Sequence, residues 1–145
     1  MYNFSHWQKL EQTGLSAEKI EEIIEACRIA HNDFINIGLA CGIRAAFRAL
    51  AEAGGDRTKY TVEKAHMHSN GCAALAVSIV CCLNPFKDNK IFFDRYMKFD
   101  WDMKACSKDK EISIRLKDKD FASYEDVFAA SDEDLFEYVE IVDLE

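Results

Sequence analysis

The sequence predicts an α+β fold in which long N-terminal helices and a buried central helix pack on an antiparallel meander sheet. Three observations lead there. Apolar residues recur at helical spacing through residues 17–50. The most apolar run, 73–83, is followed by Asn84-Pro85, and proline cannot continue a helix and restricts the residue before it. Three short segments then follow, 91–93, 99–103 and 112–116, the last two alternating apolar with polar or charged residues, which is the period of a half-buried strand.

Taken in order, residues 1–13 hold Phe4 and Trp7 at the spacing of one face of a short helix or capping arm, and Gly14 breaks it. Ser16 is a good N-cap with Glu18 in the favourable first turn, so a helix is expected over 17–30 with Ile20, Ile23, Ile24 and Cys27 as its apolar stripe. His31-Asn32-Asp33 interrupts it, because Asn and Asp compete for backbone hydrogen bonds. A second helix follows with Ile35, Leu39, Ile43, Ala46, Phe47 and Leu50, closed by Gly54-Gly55. Gly38, Ala40, Gly42 and Ala45 keep one side of it thin, so that another helix or a symmetry mate can approach closely. Residues 56–59 read as a turn and 60–67 as a strand leading into the central helix. Ser123 and Ser131, each followed by acidic residues, mark two later helix starts. Residues 138–144 read as a strand or an extended docking tail.

A chain of 145 residues is expected to form a single domain, 1–145, with no internal repeat or linker. Aliphatic, aromatic and cysteine residues make up 49% and charged residues 30%, the balance of a folded domain that buries a core. With 26 acidic against 18 basic residues the net charge is -8. No basic face is available to neutralise phosphates, which speaks against nucleic acid as a partner. The basic residues of 104–119 alternate with acidic ones and read as a solvated hairpin edge whose lysines discourage edge pairing. No run has the apolar length of a membrane helix and the start lacks a signal-peptide pattern, so a cytoplasmic protein without membrane contact is expected. The six cysteines include no Cys-x-x-Cys pair, and no disulfide framework is expected.

His66, His68 and Cys72 are the candidate metal ligands, with His31, Asp33, Cys81 and Cys82 as supplements and zinc as the candidate metal. A His-x-His pair on a strand presents both imidazoles to one face, and zinc takes nitrogen and sulfur ligands. A second option is nucleophilic catalysis by Cys72 with His68 or His66 as its base, since a cysteine at a helix start beside an imidazole is an arrangement that makes a thiolate. Arg44 is a candidate anion or carboxylate ligand, against the plainer reading that Arg44 and Arg48 are surface arginines lying over apolar neighbours. Tyr96 and Lys98, in a turn between strands, are candidate ligand contacts.

The stretch Gly38-Leu39-Ala40-Cys41-Gly42-Ile43-Arg44-Ala45-Ala46 resembles the Gly-x-x-x-Gly-x-Arg-Ala helix of the FmdE-like family, named after formylmethanofuran dehydrogenase. Asn70-Gly71-Cys72-Ala73, Lys87 with Asp88 through Phe93, Arg95-Tyr96-Met97-Lys98, the strand at 112–116 and Asp134-Leu135-Phe136-Glu137 resemble further family motifs in the same order. The family's metal motif, His-Gly-His-x-Cys-Pro-Gly, falls on Asn32, Asp33, Phe34, Ile35, Asn36, Ile37 and Gly38, so both histidines and the cysteine are missing, with His31 one residue away. Cys72 is the cysteine carried over directly, and the C-terminal zinc ribbon of longer members has no counterpart. The resemblance implies an α+β homodimer with a pocket between the long helices and the meander. The function expected is that of a small-ligand-binding or accessory protein with a degraded metal site. The alternative is a zinc- or iron-dependent enzyme or redox accessory whose site is rebuilt around Cys72.

Overall fold

In the computed structural model, residues 1–54, 57, 61–83, 90–94 and 101–144 are described, residues 93 and 94 by their backbone alone. Among these residues the fold is α+β: five helices pack with a five-stranded sheet, and the first three form the main helical layer. The expected turn at 56–59 apart from Arg57, Tyr60, Asn84-Pro85, and the candidate contacts Tyr96 and Lys98 fall outside the described residues.

Helix α1 (Ala17–Ala30) is capped by Ser16, whose side chain accepts the Lys19 N–H, and buries Ile20, Ile23, Ile24 and Cys27. It ends as expected at His31. Asn32 and Asp33 take left-handed backbone angles, φ 58 and 66, and the Asp33 N–H reaches back to the Arg28 carbonyl at 3.0 Å. Helix α2 (Ile37–Ala53) starts at Asn36, whose side chain accepts the Leu39 N–H, and ends at Gly54 with φ 72. Helix α3 (Gly71–Val80) is capped by Asn70 in the same manner. It is shorter than the apolar run 73–83. Cys82 adopts φ 58, Leu83 N–H bonds the Ser78 carbonyl at 2.9 Å and Cys82 N–H that of Ile79 at 3.4 Å, a Schellman ending built without glycine. Arg57 takes up the Ile79 and Val80 carbonyls at 2.6 and 3.0 Å.

The thin side of α2 is used within the chain. A methyl added at Gly42 would lie 2.6 Å from the Cα of Ala73, and one at Gly38 would lie 2.7 Å from the Asn70 side chain. Helices α2 and α3 therefore run side by side in the same direction, with their N-termini adjacent. The small-residue face is thus no free docking surface for another molecule.

The sheet corrects the expected meander. Strands β1 (Lys64–His68), β2 (Ile91–Asp94), β3 (Asp102–Cys106), β4 (Lys110–Leu116) and β5 (Phe136–Asp143) lie in the order β2-β1-β3-β4-β5. Strand β2 pairs parallel with β1 and is joined to it through α3, while the other neighbours are antiparallel. The sheet is therefore mixed, and the hairpin of β3 and β4 lies inside it, not at an edge. On its helix side Ala65, Met67, Met103, Ala105, Ile112 and Ile114 are buried. Two short helices, α4 (Tyr124–Ala129) and α5 (Asp132–Leu135), start at Ser123 and Ser131 as expected. The N-terminal segment is the expected capping arm: Trp7 packs on Phe47 and Phe128 and donates its indole N–H to the Phe128 carbonyl at 2.7 Å. Among the described residues no helix is long and apolar enough to cross a membrane.

Candidate functional site

Three helix ends meet at one point on the helical layer: the C-terminus of α1 and the N-termini of α2 and α3. Cys72 is the second residue of α3 and is partly exposed. The Nε2 of His31, the residue that ends α1, lies 3.0 Å from its Sγ. The other ring nitrogen, Nδ1, lies 2.9 Å from the Phe34 carbonyl oxygen. A carbonyl can only accept, so Nδ1 carries the proton and donates, which leaves Nε2 facing the sulfur as the acceptor for the thiol proton. The two left-handed residues Asn32 and Asp33 fold the chain back so that this carbonyl reaches Nδ1, and the Phe34 ring lies tilted at 54° to the imidazole with centroids 4.6 Å apart.

Asn36 closes the third side. Its Oδ1 accepts the Leu39 N–H at 2.8 Å as the cap of α2, and its Nδ2 points at the Cys72 sulfur from 3.5 Å. Along the first turn of α3, Ala73 N–H goes to the Asn70 side chain at 2.8 Å and Ala74 N–H to the Asn70 carbonyl at 3.3 Å. The N–H groups of Gly71 and Cys72 precede any intrahelical acceptor. Nothing lies within 4 Å of the space a side chain at Gly71 would take. A negative charge at Sγ sits at the positive end of α3, and a positive charge on the ring sits at the negative end of α1.

Burial pushes Cys27, Cys41 and Cys81 to about 12, and Cys106 also upward. All six cysteines are free.

The remaining candidates are dispersed. His66 and His68 lie on the sheet face away from the helices, because their neighbours Ala65 and Met67 turn inward, so neither faces Cys72. The base that the sequence assigns to Cys72 is accordingly corrected from His66 or His68 to His31. The metal set His31, His66, His68 and Cys72 does not meet at one point, and among the described residues no three His, Cys, Asp or Glu side chains gather as metal ligands. His31 and Cys72 alone offer one nitrogen and one sulfur. Asp33 is exposed beside Arg28, and Cys81 is buried with its sulfur 3.7 Å from the Ala46 carbonyl.

Arg44 is neither a surface arginine nor a ligand contact. It is 2% exposed, donates to the Val127 and Ala130 carbonyls at 2.6 and 2.7 Å, and pairs with Asp132 at 2.6 Å. Arg48 holds the other Asp132 oxygen, also at 2.6 Å. The pair is the clamp that fixes the turn between α4 and α5 to α2.

Compared with known proteins, no family model, no curated protein and no solved structure matches the chain. The site is therefore read from its own chemistry. It holds a thiol, a base in the correct tautomer, a carbonyl that orients the base, and amide donors beside an open space. The sequence marks His31 only as a supplementary metal ligand, one residue from the family's metal motif and at the end of a helix before Asn32-Asp33, and not as a base for Cys72.

Proposed function

We propose that the chain is a cysteine-dependent acyl-transfer or hydrolytic enzyme, with Cys72 as nucleophile and His31 as general base. The observation that carries this reading is the 3.0 Å contact from His31 Nε2 to Cys72 Sγ, with Nδ1 held by the Phe34 carbonyl. A nucleophile, a base within hydrogen-bond reach and a third group orienting the base form the set needed for covalent catalysis. Nε2 takes the thiol proton as the sulfur bonds to a carbonyl carbon. The carbonyl oxygen then gains negative charge in front of the Gly71 and Cys72 N–H groups and the Asn36 amide, a set of donors suited to an oxyanion. The leaving group departs with the proton from His31. Water entering the open space gives a proton to His31 and attacks the thioester, which releases the acid and restores the thiol.

The test uses p-nitrophenyl acetate with the full chain. The expected result is a burst of nitrophenolate of one equivalent per chain and an acetyl adduct on the peptide containing Cys72. A burst unchanged in Cys72→Ala would defeat the reading.

The resemblance to the FmdE-like family supports a second reading, a small-ligand-binding or accessory protein, because Cys72 is the family cysteine carried over. In that reading Cys72 would be a contact without turnover, or one of the donors of a relocated zinc or iron site. A homodimer, the assembly that the resemblance implies, would use surfaces other than the face of α2 that α3 covers.

A further inference from the structure

The thiol site is polar at its centre and apolar at its rim. Phe34, whose carbonyl holds His31, leaves its own side chain 52% exposed, with the ring centroid 4.6 Å from that of the imidazole. Ile37, the first residue of α2 and the neighbour of Asn36, is 37% exposed. On α3, Leu75 follows Cys72 by three residues, so the two share a face, and both are partly buried. These side chains belong to the same helix ends that meet at Sγ. A few convergent polar groups inside an apolar lining is the make-up of a small-molecule site.

Charge is scarce around the same opening. Apart from His31, residues 29–38 and 69–80 contain one charged side chain, Asp33. Asp33 is acidic and lies 3.6 Å from Arg28, which Glu25 also holds at 2.7 Å. A carboxylate on a substrate would find no cation in either segment and would meet Asp33 as a like charge.

We infer that the substrate of Cys72 carries an uncharged, apolar acyl group of several carbons, seated against Phe34, Ile37 and Leu75 with its carbonyl carbon at Sγ. The inference rests on the reading of Cys72 and His31 as nucleophile and base, and adds the substrate class to it. Sγ bonds to the acyl carbon, the bond to the leaving group breaks, and the thiol proton moves through His31 to that group. The space beside Gly71, where nothing lies within 4 Å, is left for the leaving group and for the water that follows.

The test compares the p-nitrophenyl esters of acetate and hexanoate and the mono-p-nitrophenyl ester of glutarate on the full chain. First-turnover rates are corrected with Cys72→Ala and divided by those of N-acetylcysteine, which removes the intrinsic reactivity of each ester. A fully buried methylene is worth about fourfold, so the longer chain, half covered, should make hexanoate about tenfold faster than acetate. The glutarate ester should trail hexanoate by a similar factor. Phe34→Ala and Ile37→Ala should each lower the ratio of hexanoate to acetate at least about threefold. Equal rates for acetate and hexanoate, a glutarate ester as fast as hexanoate, or a ratio that neither variant changes overturns the inference and leaves the nucleophile in place. The absence of a Cys72-dependent burst with every ester overturns the nucleophile itself and the inference with it.

Discussion

The Nε2 of His31 lies 3.0 Å from the Sγ of Cys72, although 41 residues separate them in the chain. The contact exists because α2 and α3 touch at Gly42 and Ala73, which sets the start of α3 beside the end of α1. If His31 is the base, its removal slows every reaction of the Cys72 thiolate. His31→Ala should reduce iodoacetamide labelling of Cys72 at neutral pH by about a hundredfold, the low end of what a positioned base supplies. Labelling of Cys82 in the same sample serves as the internal reference. Equal slowing of both cysteines would mean a general change in access, not the loss of a base.

Asn36 has two jobs that can be separated. Its oxygen caps α2 and its amide faces the sulfur. Asn36→Ser retains a cap and deletes the amide donor, so thermal stability should stay within about 0.5 kcal/mol of the parent while turnover of an activated ester falls about 10²–10³-fold. Asn36→Ala deletes both and should also cost about 1 kcal/mol in urea unfolding. If serine restores turnover along with stability, the amide has no catalytic part.

Much of the layout was legible from residue patterns, and the gaps have physical causes. The helix starts at Ser16, Ser123 and Ser131 and the stop at Gly54 follow from local hydrogen bonding, so short windows contain them. The insertion of β1 between β2 and β3 does not, because a parallel pairing made across α3 is decided by packing, and the three later strands read as neighbours only because they are consecutive. Ala105 is a core residue too small to mark its strand, which hid the extent of β3. At the site, Cys72 was visible at a helix start. Its partner was not, because nearness in sequence favoured His66 and His68, whereas the pleat sends those two to the other face. Arg44 looked like a ligand residue for want of any sign that Asp132 would neutralise it.

Arg44 now predicts a stability effect instead of a binding effect. Its side chain and that of Asp132 are 1% and 5% exposed. Arg44→Ala leaves the Val127 and Ala130 carbonyls without this donor and Asp132 with Arg48 and the Gln8 N–H. A loss of about 3–5 kcal/mol in urea unfolding is expected, with the rate of Cys72 labelling in the folded fraction little changed. A fully stable variant would mean that Arg44 does not hold the turn.

Gly42→Ala sets helix propensity against packing. Alanine gains about 1 kcal/mol over glycine in a helix interior. Its methyl would meet the Ala73 backbone at 2.6 Å, and backbone cannot rotate away as a side chain can. Overpacking of this kind costs about 1–3 kcal/mol, so net destabilisation is expected. Because Ala73 follows Cys72, the same shift should carry the sulfur away from His31 and slow its alkylation. Increased stability with unaltered labelling would show that α2 and α3 have room to spare.

The buried thiols give the fold a dependence on alkaline pH. Burial disfavours the thiolate and raises Cys27, Cys41 and Cys81 to about 12, whereas in the unfolded chain a cysteine releases its proton near about 8.5. Between those values the folded state binds more protons than the unfolded one, so stability is complete below about pH 8.5 and declines as pH rises toward about 12. Each thiol contributes a slope of at most about 1.4 kcal/mol per pH unit, and three together give roughly 4. Urea midpoints taken at about pH 8 and about pH 10 should therefore fall steeply. Cys81→Ala, which deletes one of the three groups, should flatten the decline by about a third even though its midpoint at the lower pH drops for loss of packing. A decline of the same steepness in that variant would place the alkaline sensitivity in groups other than these thiols.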